Sequence, residues 1–223
     1  MPRNARTDVG DEIYHVINRA NGRMRIFNEP ADYALFEELL LDTKELIGMR
    51  ILAYSIMPNH WHLILHPRKD RDLGMFMHRL SNAHTRKVHA KTKTNGAGHL
   101  YQGRYKSFIV DTDSYFLSLL KYVERNPVRA KLAEKCEDWK WGSAYRRING
   151  STDEKKLIDP PVTELPHGYR NWVNTPDKED ELALIRTSVN KGVPFGKGVW
   201  VEQMVTKFHL ESTRKNPGRP KKR

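Results

Sequence analysis

A single cysteine, Cys136, stands in the 223-residue chain. Its isolation excludes an intrachain disulfide framework, a CxxC zinc module and any Cys-rich cluster, and it suits a reducing compartment. No stretch approaches the roughly 18 consecutive apolar residues that would span a membrane. The opening MPRNARTDVGDEIYH lacks a long apolar core behind its basic residues, so neither a leader nor a membrane anchor is expected. The HExxH pattern of helical metalloproteases and any internal repeat are also missing. Acidic residues are in deficit, 27 against 39 Lys and Arg, for a formal net charge of +12. A polyanion rewards such an excess through counterion release, which makes nucleic acid the first partner to consider; a basic protein with a solvated charged surface is the plainer alternative.

What is present reads as alternating elements. EIYHVIN is rich in β-branched and aromatic residues and stops at the turn pair Asn21-Gly22, so a first strand covers residues 12–18. Tyr33, Phe36, Leu39, Leu40 and Ile47 recur at helical spacing, and Gly48 offers a stop. RILAYSI and HWHLILH, joined by MPN, make a hairpin. Leu73, Phe76, Met77, Leu80, Ala83 and Val88 mark a second helix with a basic outer face over residues 71–91. After a glycine-bearing loop, KSFIV is a fourth strand, and Asp111 or Asp113 caps a third helix running from Ser114 through YFLSLLKYVER until Pro127 disturbs it. The order βαββαβα predicts an α+β fold: a ferredoxin-like or RRM-like antiparallel sheet with helices on one face. INGSTDEKKLIDPPVTELPHG reads as a polar surface linker, and residues 177–191 and 198–210 as short helices. The expected organisation is a main domain over 1–148, a small helical C-terminal extension over 149–211 and a basic tail over 212–223 that cannot bury a core.

Within HWHLILH, His60 and His62 lie two apart and project to one side, while Trp61, Leu63 and Leu65 face the other. The imidazoles are either satisfied core or edge histidines or two nitrogen ligands awaiting a third. On the third helix Tyr122 and Asn126 stand four apart and share a face, on the flank that carries Arg125 and Arg129. Either Tyr122 is a core-edge tyrosine and Asn126 a helix stop before Pro127, or the pair joins the histidines. The chemistry that would unite them is phosphoryl transfer, a metal-polarised phosphate attacked by the Tyr122 phenol.

MPNHWHLI, QGRYKS and KYVERNPVRA, in this order, resemble the single-tyrosine HUH transposases, in particular the REP-associated tyrosine transposases; the likeness spans residues 10–147, with RTSVNKGVPFG and GRPKKR as fragments further on. The resemblance implies an HUH endonuclease fold, with His60 and His62 binding Mg2+ or Mn2+, Tyr122 as the nucleophile and the amide of Asn126 completing the metal site. It also implies an enzyme that nicks and transfers hairpin-forming, REP-like palindromic single-stranded DNA through a 5′-phosphotyrosine, nucleoid-associated in the cytoplasm, as a monomer or homodimer. Arg104, Tyr105 and Lys106 of LYQGRYKS, with Arg125 and Arg129, offer cations for phosphates and a ring for base stacking. Arg219, Lys221, Lys222 and Arg223 resemble a minor-groove arm. Two competing functions are a hairpin-DNA binding protein that does not cleave and a nicking enzyme of the initiator or relaxase type. The latter commonly has paired tyrosines or three clustered histidines, although Tyr115 lies two helical turns before Tyr122.

Overall fold

The structure, a computed structural model, describes residues 7–94, 96 and 98–214. Four strands, β1 (Ile13–Arg19), β2 (Arg50–Met57), β3 (His60–His66) and β4 (Lys106–Val110), form one antiparallel sheet in the order β2-β3-β1-β4. Helices α1 (Pro30–Ile47) and α2 (Asp72–Thr92) connect them in the expected βαββαβ sequence, and α3 (Ser114–Glu124) follows. The fold is the ferredoxin-like α+β architecture that the alternation of patterns predicts.

Strand alternation divides the core in two. Tyr14, Val16, Trp61, Leu63 and Leu65 turn to one face, where Phe36 and Leu40 of α1 and Leu73, Phe76 and Leu80 of α2 cover them. Ile13, Ile64, Phe108 and Val110 turn to the other, beneath Phe116, Leu119, Leu120 and Val123 of α3. Helices therefore lie on both faces: the single helical face foreseen holds α1 and α2, and α3 takes the opposite side because its apolar stripe meets a strand face that is equally apolar. A bulge between Ile51 and Ala53 lets neighbouring Leu52 and Ala53 both join that second core.

Local chemistry sets the helix ends. Pro30 opens α1, where the Asp32 carboxylate accepts the amides of Asn28 at 2.8 Å and Glu29 at 3.1 Å. Gly48 closes it in the left-handed region at φ 73°, with open space where a Cβ would stand. Gly48→Ala is therefore expected to cost about 1 kcal/mol through backbone strain alone, measurable by urea unfolding. Asp8 caps α2 through the amides of Leu73 and Gly74, at 3.1 and 2.8 Å. The caps expected for α3 are not made. Asp113 takes the position with φ 56° and no side-chain cap, while the Asp111 carboxylate accepts the amides of Thr112 and Lys197 instead.

Beyond α4 (Asn126–Arg129), the chain continues through α5 (Ser143–Asn149), α6 (Thr152–Lys155), α7 (Tyr169–Asn174), α8 (Glu179–Lys191) and α9 (Gly198–Lys207). The stretch that reads as a linker is fastened to the sheet: the Asp159 carboxylate accepts the Ile51 amide at 2.8 Å and pairs with Lys44, also at 2.8 Å. The Ile56 amide donates to the Trp141 carbonyl beside β2, and at the far edge the Phe195 amide donates to Ile109 beside β4. Both sheet edges are thus covered by late segments, which removes exposed pairing surfaces. Of the basic tail, residues 212–214 lie in a short 3-10 turn, Glu211–Arg214; Arg219, Lys221, Lys222 and Arg223 fall outside the described residues.

Candidate active site

The two-residue Pro58-Asn59 turn delivers β3 so that His60 and His62 leave the sheet on the α3 side, their rings 5.2 Å apart. Asn59 fixes the first of them. Its amide nitrogen donates to the Arg23 carbonyl at 3.1 Å, which orients its amide oxygen toward His60 Nδ1, 2.6 Å away. An amide oxygen only accepts, so the His60 proton sits on Nδ1 and Nε2 presents a lone pair. His62 Nδ1 lies 2.9 Å from His15 Nε2, the two rings being stacked. His15 is fully buried in β1, among Ile13 and Ile17 of the same face, and its isolation inside an apolar strand gives no sequence signal except its parity.

Burial holds all three imidazoles neutral. It pushes His15 down to about 3 and, with Arg19, His60 down to about 4. His62 is lowered well below the usual histidine range by burial first, then by His15, His60 and two arginines.

Tyr122 projects from the last turn of α3 against this group. Its ring lies 5.9 Å from that of His62 and 6.4 Å from that of His15, nearly perpendicular to both. The Arg129 guanidinium stacks on it at 4.2 Å. Burial raises the phenol, and Arg129 partly offsets this. Asn126 follows one turn later, after α3 has ended at Glu124; Pro127 has no amide hydrogen to continue the ladder, and Arg129 caps the Tyr122 carbonyl. Asn126 Oδ1 accepts from Arg129 at 2.9 Å, and its Nδ2 is buried without a partner.

His60 and Tyr122 therefore both adjoin His62, and Arg129 links Tyr122 to Asn126. Arg125 is committed elsewhere. It is buried, ion-paired to Asp177 at 3.0 Å and bonded to the carbonyls of Val173 and Asn174; Asp177 also pairs with Arg129 at 3.0 Å. Arg104 and Lys106 are exposed, and Tyr105 is half-buried. Lys106 stands opposite Ile17, which stands opposite His62, so it begins two strands away, about 10 Å across the sheet. A cleft of about 300 Å³ lined by Ile17, Arg19, Arg104 and Lys106 continues from that row. His15, Asn59 and Asp177 are the participants that sequence reasoning missed.

As ligands, the residues fit a divalent cation in part. Both neutral imidazoles leave Nε2 without a hydrogen bond among the described residues. No group of three His, Cys, Asp and Glu that could hold a metal ion is found among the described residues, His15 Nε2 being turned to His62 Nδ1, so a third protein ligand has to come from another residue type. Asn126 is of that type and is joined to Tyr122 through Arg129, which donates to its amide oxygen.

The family model described as Transposase IS200 like matches residues 8–126, more than half of the 223-residue chain. The chain belongs to the IS200-like transposase family. The matched segment runs from the start of the sheet to Asn126 and so contains His15, His60, His62 and Tyr122. Among solved structures, this IS200-like transposase resembles a REP-associated tyrosine transposase bound to a REP hairpin, with a TM-score of 0.55 and 16% identity over 74% of this chain and 95% of that one. A candidate transposase of Deinococcus radiodurans R1 aligns at 21% identity and a TM-score of 0.38, over 59% of this chain and 92% of that one. No curated protein matches the chain. No described helix of the transposase is long and apolar enough to cross a membrane.

Proposed function

We propose that this transposase nicks and rejoins hairpin-forming, REP-like single-stranded DNA through a phosphotyrosine on Tyr122. What carries the reading is the Tyr122 ring packed 5.9 Å from His62, on the sheet face that also bears His60. His60, His62 and Asn126 would hold Mg2+ or Mn2+, which would supply positive charge at the scissile phosphate. Tyr122 Oη attacks phosphorus and gives up its proton; the P–O3′ bond breaks, and its electron pair leaves with the 3′ oxygen, which takes up a proton. Because a phosphotyrosyl diester retains much of the bond energy, a second 3′-hydroxyl can reverse the attack and join the strands.

The other residues hold the substrate. Arg104 and Lys106 attract phosphates along the cleft beside β1, Tyr105 offers a face to an unpaired base, and Arg219, Lys221, Lys222 and Arg223 extend this to a duplex groove. Arg129 borders the reacting phenol, whereas Arg125 supports it through Asp177. Since Tyr122 meets the histidines of its own chain, one protomer suffices for a complete site, as a monomer or within a homodimer. The catalytic unit is 1–148, and the extension over 149–211 braces its sheet edges.

The purified chain mixed with a labelled single strand bearing a hairpin is expected to yield an SDS-resistant adduct in Mg2+ or Mn2+ and none in EDTA. A gel shift with that DNA and no adduct in either metal would instead establish the non-cleaving hairpin-binding function.

A further inference from the structure

We propose that His15 is a positioning residue: its Nε2 accepts the Nδ1 proton of His62 and so leaves His62 Nε2 free as the lone-pair donor toward the cation. This rests on the metal site proposed above and adds the partner that sets its protonation pattern.

Two neutral patterns satisfy the 2.9 Å contact between His62 Nδ1 and His15 Nε2. If His15 donates, the His62 proton is on Nε2, and the nitrogen pointing away from His15 cannot ligate. If His62 donates, its Nε2 is bare, as His60 Nε2 already is through Asn59. The metal site selects the second pattern: His15 engages His62 Nδ1, so Nε2 is the nitrogen left to ligate, and it can do so only bare. His15 is held by Phe108 at 4.9 Å, His62 at 5.1 Å and Tyr122 at 6.4 Å, so its Nε2 has one orientation. In this pattern its remaining nitrogen, Nδ1, carries the proton and is a buried donor without a hydrogen-bond partner, a desolvation cost that the bond to His62 has to offset. A fully buried imidazole with one orphan nitrogen is a poor packing residue, because an apolar ring would fill the space without the desolvation cost. The group that justifies it is the bond to His62. Metal-bound histidines generally hold their second nitrogen in this way, with a carboxylate, carbonyl or water as the usual acceptor; here another histidine takes the part.

The experiment uses the full chain labelled with 15N on histidine, in two arms. Without metal, long-range 15N–1H correlation is expected to show His62 protonated at Nδ1 in the parent, altered in His15→Phe and retained in His15→Gln, whose amide oxygen can stand near the lost Nε2. His62 protonated at Nε2 in the parent would overturn the proposal. In the second arm, Mn2+ titration monitored by EPR is expected to show binding weakened roughly 10–100-fold in His15→Phe and largely restored in His15→Gln. Parent-like Mn2+ affinity in His15→Phe, with His62→Ala abolishing binding, overturns the role of His15 while leaving the metal site intact. A parent chain that binds no Mn2+ defeats the metal site itself, and the metal-free spectrum still decides the bond between the two histidines. Thermal melts identify a variant that fails to fold, in which case the His15→Gln arm carries the test.

Discussion

Tyr122→Phe is expected to abolish the covalent DNA adduct, lowering its rate by roughly 10⁴-fold or more, as removal of an enzymatic nucleophile does. The substitution deletes one oxygen and retains the ring that packs against His62 and His15 beneath Arg129. No hydrogen bond to the phenolic oxygen exists among the described residues, so unfolding free energy should change by no more than about 0.5 kcal/mol. Hairpin binding by gel shift should persist, which separates lost chemistry from lost affinity. Survival of the adduct in this variant would transfer the role to another residue. Tyr115 is poorly placed to take it: its ring packs on Phe195 at 5.2 Å, and it lies about 10 Å back along the α3 axis.

Arg146→Met should cause the largest loss of stability, about 3–5 kcal/mol, equivalent to a Tm lower by roughly 10 °C for a chain of this size. Arg146, on α5, is buried with Glu37 of α1. Its Nε donates to the Tyr54 hydroxyl at 3.0 Å, and that hydroxyl donates to Glu37 at 2.6 Å. A further bond runs from Nη1 to Glu154 at 2.5 Å. Removing the guanidinium leaves a buried carboxylate with one hydroxyl for company. Burial already raises Glu37 above the usual carboxylate range, with Tyr54 and Arg146 opposing it, so loss of the cation raises it further.

The pH dependence follows from that direction. The unfolded chain releases the Glu37 proton near its ordinary value, whereas the native variant keeps it to higher pH, so between these two points the native state binds more protons and stability falls as pH rises. The deficit of Arg146→Met is therefore largest at neutral pH and shrinks as pH falls toward 4.5, the ordinary value for this carboxyl. Urea unfolding at several pH values reads both the size and the slope. A deficit below about 1 kcal/mol, or one that does not vary with pH, would mean that Glu37 is not held as a buried charge.

Local pattern announced much of this molecule. The period of two in HWHLILH put His60 and His62 on one side and Trp61 on the other, and the structure has them so. The spacing of four between Tyr122 and Asn126 survived Pro127 because Arg125 keeps a helical conformation across the break between α3 and α4. Hidden from sequence was anything that needs register between strands. His15 looks like one more core position of EIYHVIN until β1 pairs with β3, which sets Ile17 opposite His62 and leaves His15 able to reach it diagonally. Asp177 is equally mute, 52 residues from the Arg125 that it neutralises. The polar stretch after residue 150 reads as linker by composition, yet its Asp159 satisfies the edge of β2.

The sequence by itself determined the elements, their order and the alternation that puts His60 and His62 on one face and Trp61 on the other, because these depend on neighbours within a few residues. Only the tertiary structure decided which buried arginine is spent on an ion pair, which helix lies over the histidines and which nitrogen of His62 is bonded. Those outcomes depend on contacts between distant segments, made when two cores close on opposite faces of one sheet and bring His15, His62 and Tyr122 within one ring contact of each other.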